Sequence, residues 1–374
     1  MKKTSYIILL IGLVLFGCRK KIEVTPGEHQ NNYSSSKNFE IVHIDFFENK
    51  AAIKNLFAFN NKLYITTNKD FDGQSAITVL NEDNSLIIPK KNISNAYIDD
   101  FSNYDFNLIE DAEEKDGIIY FGGLLNYNDD DYFYLEYNTA DNSLNEGNNL
   151  INTNADGVKS LMTHLGEVVA YTEGYNNDFN CLSCPTNYGP YPHIINVNMY
   201  DATSINDTFY IQSPTGKVYY TNTPFSTSFV GVGMALTDTV VRMFEYKNTL
   251  CAIGSFDNGT SSLVQLKNGQ LETMATNSDI VAYLSENFGP STSNQYNTRK
   301  VPKVRVINDD IYIMGEMYIK NSLGNYTYEH VTLRYQNGSL DVIDTDLKIT
   351  DIAMINNYLY GAIFEGSYLA KLTF

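Results

Sequence analysis

The chain of 374 residues has no tryptophan and only five histidines. Its 26 lysines and arginines face 44 aspartates and glutamates, giving a formal charge of −18 and a pI near 4.6. So few cations argue against nucleic acid, whose phosphates must be neutralised by Lys and Arg. The histidines (29, 43, 164, 193 and 330) are scattered, and no His-Glu-x-x-His, Gly-x-Ser-x-Gly or phosphate-loop pattern occurs. The strongest apolar run, residues 6–16, is too short to cross a bilayer, which takes about 20 residues. Charged residues make up only 19% of the chain against 43% apolar, which excludes a disordered acidic tail. The chain does hold 44 asparagines and 29 tyrosines, a composition that favours turns and strands over helices.

The apolar run follows Lys2 and Lys3 and ends in Leu15-Phe16-Gly17-Cys18. A basic start and a short apolar core suit an export signal. The ending resembles the lipobox of bacterial lipoproteins. That resemblance implies removal of residues 1–17, lipid on Cys18 and anchoring to a membrane of the cell envelope. In enterobacterial lipoproteins Asp after the cysteine signals retention at the inner membrane; Arg19 stands there in this chain, so the resemblance implies the outer membrane. Either face of that membrane remains open. Residues 18–37 read as the lipidated cysteine and a polar, Ser/Asn-rich tether, and residues 38–374 as the folded domain.

That domain repeats. Phe59-Asn60-Asn61-Lys62-Leu63-Tyr64 returns as Ile205-Asn206-Asp207-Thr208-Phe209-Tyr210, Ile307-Asn308-Asp309-Asp310-Ile311-Tyr312 and Ile355-Asn356-Asn357-Tyr358-Leu359-Tyr360. Tyr246 to Cys251 is a variant, and units ending at Tyr120 and Ala170 are weaker ones. The unit ends are spaced by 40 to 61 residues, about 49 on average, the length of a propeller blade. Each unit is a strand, a tight turn and a strand, because Asn, Asp and Gly accept the positive φ that hairpin turns demand. A second hairpin signal follows in several units, as at Asn268-Gly269 and Asn337-Gly338. The expected fold is therefore all-β, a β-propeller of four-stranded antiparallel blades, with seven preferred over six. Residues 39–46 form a strand with no unit of their own, while the last unit stops one strand short, so the N-terminal strand is expected to close the ring. Two β-sandwiches are the rival architecture. Gly117-Ile118-Ile119-Tyr120-Phe121-Gly122-Gly123 resembles kelch-like propellers, although the paired glycine occurs in this unit alone. The resemblance implies the fold and carries no function.

Several residues are candidates for chemistry. Cys181 and Cys184 suit a small disulfide in an exported protein, with a metal site or a redox pair as alternatives. Asn68, Asp70 and Asp72 precede Gly73 as in the first half of a calcium loop, but Val79 stands where the bidentate acid belongs, so an EF-hand is excluded and Ca²⁺ stays an open option beside a plain polar turn. Tyr175, Asn177, Asp178, Tyr188, Tyr191 and His193 crowd the longest insertion and could stack on and hydrogen-bond a glycan, peptide or protein partner. The function expected is a lipid-anchored, non-catalytic binding module. A divalent-metal propeller enzyme (lactonase, lyase or glycosidase) and a structural subunit of an envelope complex are the alternatives.

Overall fold

A computed structural model describes residues 39–43, 53–67, 77–81, 86–87, 90–91, 106–125, 134–146, 155–174, 178–184, 201–213, 217–222, 230–234, 239–255, 261–276, 291–293, 303–321, 326–344, 348–363 and 368–372. All the regular structure among them is strand. It forms seven antiparallel sheets that follow one another along the chain as the blades of a propeller. The inner strands are Ile53–Phe59, Phe106–Lys115, Ala155–His164, Asp201–Ile205, Thr239–Tyr246, Lys303–Ile307 and Ile349–Ile355 for blades 1 to 7. Blades 2 and 5 each gain a short parallel strand at the outer edge, Lys90–Lys91 and Gly233–Met234. Blade 3 has three strands among the described residues.

Ring closure follows the sequence expectation. Phe39–His43 pairs antiparallel with Tyr368–Leu372, Phe39 opposite Leu372 and His43 opposite Tyr368, completing blade 7. The first hairpin of every blade turns through two left-handed residues. Asn60 and Asn61 have φ of 49° and 57°, and Asn356 and Asn357 have 49° and 64°. Asn and Asp tolerate that region because their short polar side chains bond locally.

One register differs from the sequence reading. In blade 3 the turn is Leu165-Gly166, with φ of 50° and 76°, not Gly166-Glu167. The residue equivalent to Tyr64 is therefore Val169 rather than Ala170. Gly166 takes the second left-handed position, and that leaves Leu165 in the first.

Alternation along the strands explains the core. Leu63 and Ile65 face blade 7, where they meet Tyr360 and Ala362. Tyr64, between them, faces blade 2 and packs edge-on to Tyr137 with ring centroids 5.4 Å apart. The same division recurs at all boundaries. Tyr120 reaches blade 3, Val169 blade 4, Cys251 blade 6 and Tyr312 blade 7. Every blade is thus buried on both faces, and each such side chain withdrawn from water contributes about 1.5–3 kcal/mol. Cys251, in the Tyr position of blade 5, is fully buried, and burial pushes its thiol up to about 12.

A polar belt and cation pair in the central channel

Five positions before the first turn residue, the inner strands carry Asn55, Asp111, Ser160, Asp201, Arg242, Lys303 and Asp351. All are polar. In blades 1, 2, 3, 5 and 7 the strand register shifts at this residue, as between Ile109 and Asp111. Such a bulge turns a side chain out of the regular alternation.

The three aspartates repeat one device. Each accepts the N–H of the residue after it with one oxygen and an N–H of the next blade's inner strand with the other. Asp111 links Ala112 and Leu161, Asp201 links Ala202 and Met243, and Asp351 links Ile352 and Leu56. These backbone groups lie on the inner edge of each sheet, where no strand can satisfy them, and a buried N–H left unpaired is costly. The other belt members bind too. Ser160 donates to the Ala202 carbonyl at 3.3 Å, and the Asn55 amide donates to the Ile109 carbonyl.

Cations concentrate at blade 6. Arg305, two residues after Lys303, donates from Nε to Asp351 Oδ1 and from Nη2 to Asp351 Oδ2, both at 2.9 Å, and from Nη2 to the Leu56 carbonyl at 3.3 Å. Lys303 lies 2.9 Å from Asp351 Oδ2 and also donates to Asn55 Oδ1. Its ammonium and the Arg305 guanidinium lie over the Phe57 ring, 6.0 and 5.1 Å from the centroid. Both side chains thus reach from blade 6 past blade 7 to blade 1. They are deep but not sealed: 24% of Lys303 and 22% of Arg305 stay open to solvent, while Asp351 is wholly covered. Burial, only partly offset by Asp351 and aided by Arg305, pushes the Lys303 ammonium down to about 8. Burial would raise Asp351, but Arg305 and Lys303 outweigh it and hold the carboxyl below its usual range.

The blade 2 wall is acidic. Burial, then the Asp111 charge, pushes Glu113 up to about 8, with Glu114 and Glu245 adding to the effect and Thr163 opposing it. Asp201 also rises, because burial outweighs Arg242, whose guanidinium is 3.5 Å away. Toward the hairpin turns, Ala58, Thr163, Glu245 and Val306 are exposed, so the channel opens on that rim. The rim itself is stitched. Leu165 N–H donates to Asp207 at 3.0 Å, Asn206 to the Asn248 carbonyl at 3.1 Å and the Tyr246 hydroxyl to the Asp309 carbonyl at 3.1 Å.

None of the belt residues is among the candidates from the sequence. Cys18, Asn68, Asp70, Asp72, Tyr175, Asn177, Tyr188, Tyr191 and His193 fall outside the described residues. Asp178 begins the third strand of blade 3, Asp178–Cys181. Cys181 and Cys184 are disulfide-bonded, with Cα atoms 5.6 Å apart. The Ser183 hydroxyl between them donates to Glu167 at 2.6 Å, and Glu167 also pairs with Lys115 of blade 2. The two sulfurs and a Glu167 oxygen lie within 4.8 Å of one another, which is metal-ligand spacing. With the sulfurs bonded to each other and Glu167 held by Lys115 and Ser183, that set presents no thiolate to a metal. Sequence reasoning missed the channel belt. Its signal was present, a polar residue at one fixed distance before every first hairpin turn.

No family model matches the chain, and no curated protein does. Solved structures do. The WD40 β-propeller domain of Doa1 aligns with a TM-score of 0.52 at 11% identity, over 90% of this chain and 97% of that one. YCF48 bound to D1 peptide aligns with a TM-score of 0.57 at 10% identity, over 91% and 97%. BamB from Moraxella catarrhalis gives a TM-score of 0.45 at 10% identity, over 91% and 98%. At such identities the first two agree with the fold, a seven-bladed β-propeller, and show nothing finer.

Proposed function

We propose that the chain is a non-catalytic binding module for a peptide or protein partner, held at the outer membrane of a bacterial envelope by lipid on Cys18. The observation that carries the reading is the bonding of the channel carboxylates. Asp111, Asp201 and Asp351 each give both oxygens to backbone N–H groups across a blade boundary. A general base or metal ligand needs an oxygen aimed at a reacting atom. Here the oxygens hold the ring together, and a rigid ring with an open channel mouth is suited to recognition. The resemblance of Leu15-Phe16-Gly17-Cys18 to a lipobox supports the anchor.

Glu113 favours a second reading, an acid–base enzyme, since a carboxyl pushed up to about 8 by burial and the Asp111 charge is a candidate proton donor. Under that reading Glu113→Gln abolishes turnover of some substrate. Under the binding reading it leaves partner capture intact.

The test has two arms. Cells fed an alkyne fatty acid should label the wild-type protein and not Cys18→Ala, which should leave the membrane fraction. A photoreactive residue at Val306, on the channel mouth, should give a discrete protein adduct in living cells, whereas one at Glu272, on an outer strand, should not. An unlabelled, soluble wild-type protein overturns the anchor. Lack of an adduct at Val306 overturns the binding reading.

A further inference from the structure

The geometry points to a carboxylate-binding subsite in the channel, formed by Arg305 and Lys303, that takes a C-terminal or acidic side-chain carboxylate of a bound peptide. This rests on the binding reading above and deepens it.

The donors are counted from the bonds already made. Arg305 uses Nε and Nη2 on Asp351 and the Leu56 carbonyl. Its Nη1, with two N–H groups, has no partner among the described residues. Lys303 directs two of its three N–H groups at Asp351 and Asn55, and the third has none. Three donors therefore remain, on side chains that stay about a quarter open to the channel. Asp351 is the carboxylate that bonds both cations directly, and the charges of Glu110 and Asp111 also act on Lys303 and Arg305, so it is the open donors rather than an excess of positive charge that define the subsite. Phe57 fixes the guanidinium from one face and Asp351 from one edge, so the fork is positioned before any ligand arrives. A preorganised guanidinium edge beside an ammonium matches a planar carboxylate, and little side-chain entropy remains to be lost. The acidic wall opposes such a ligand less than its composition suggests, because Glu113 keeps its proton near neutral pH.

The experiment follows the Arg305 Nε–H resonance by NMR in the folded domain, assigned by its loss in Arg305→Lys. The probes are N-acetyl-Gly-Gly with a free carboxylate, the same peptide as its amide, and acetate, all at constant ionic strength. The free-acid peptide should shift the resonance saturably and the amide should not. Lys303→Met, checked for an unchanged fold by thermal melting, should weaken the peptide about tenfold, as expected for losing one charged hydrogen bond. No shift with either carboxylate, or equal shifts with acid and amide, overturns the subsite. Acetate binding as tightly as the peptide overturns the peptide as its source. A Val306 adduct in cells without any carboxylate effect leaves the binding function standing and removes this inference alone.

Discussion

Arg305 and Asp351 meet side-on, Nε to Oδ1 and Nη2 to Oδ2, both at 2.9 Å, across the boundary between blades 6 and 7. The same carboxylate receives the Leu56 N–H of blade 1 at 2.8 Å, so one side chain ties together the blades on either side of the closing sheet. Removing one partner of a buried pair leaves the other charge uncompensated. Asp351→Ala should therefore lower stability by about 3–5 kcal/mol, measured by urea unfolding. Arg242→Ala should cost less, because Arg242 is 3.5 Å from Asp201 and a third exposed. Equal losses for the two variants would argue against a special role for Asp351.

Closure by the N-terminal strand makes a separate prediction. Phe39–His43 pairs along its whole length with Tyr368–Leu372. Deleting residues 19–43 leaves that last strand as a bare edge, open to pairing with another copy. The truncated domain should melt at lower temperature and elute partly as dimers or larger species. Deleting residues 19–37 alone should change neither property. Differential scanning calorimetry and size-exclusion chromatography distinguish the two cases.

Glu113 gives stability a pH dependence whose sign can be worked out. The folded protein holds this proton up to about pH 8, whereas the unfolded chain releases it near 4.5. The folded state binds more protons between those values, so the contribution is complete below 4.5 and is lost as pH rises through 8. Wild-type melting temperature should therefore decline across that window. Glu113→Gln, which stays neutral, should decline less and melt above wild type beyond pH 8. Parallel melting curves for the two proteins would show that Glu113 titrates as an ordinary carboxyl.

Much of the fold was legible because hairpin chemistry is local. Asn60-Asn61, Asn206-Asp207, Asn308-Asp309 and Asn356-Asn357 announce left-handed turns by residue type, and all adopt them. Blade 3 was misaligned by one residue because Leu165 is not a residue type that announces positive φ. The channel belt shows in the sequence only as a recurring polar position, not as a site, because its members share a position and not a chemistry. Asn, Asp, Ser, Arg and Lys all serve there, and only the packed ring shows that each reaches a neighbouring blade. Nor does the sequence show that Lys303 and Arg305 converge on Asp351, 46 positions beyond Arg305.

Leu165 is also the clearest place to improve the molecule. It has φ of 50° at the first turn position of blade 3, and 62% of its surface is exposed. A left-handed conformation costs an ordinary L-residue about 1–2 kcal/mol, and Asn escapes part of that penalty. The Leu165 side chain gains little in return, since so much of it meets water. Its N–H bond to Asp207 belongs to the backbone and survives substitution. Leu165→Asn should therefore stabilise the domain by about 0.5–1 kcal/mol, a gain typical of relieving backbone strain at a surface turn. Leu165→Ala should gain less, because alanine keeps the Cβ that crowds the left-handed region and has no polar group to bond locally. If Leu165→Asn instead lowers stability, the leucine must make packing contacts that its exposure conceals, and urea midpoints of the two variants measured together would reveal it by a larger loss in Leu165→Ala.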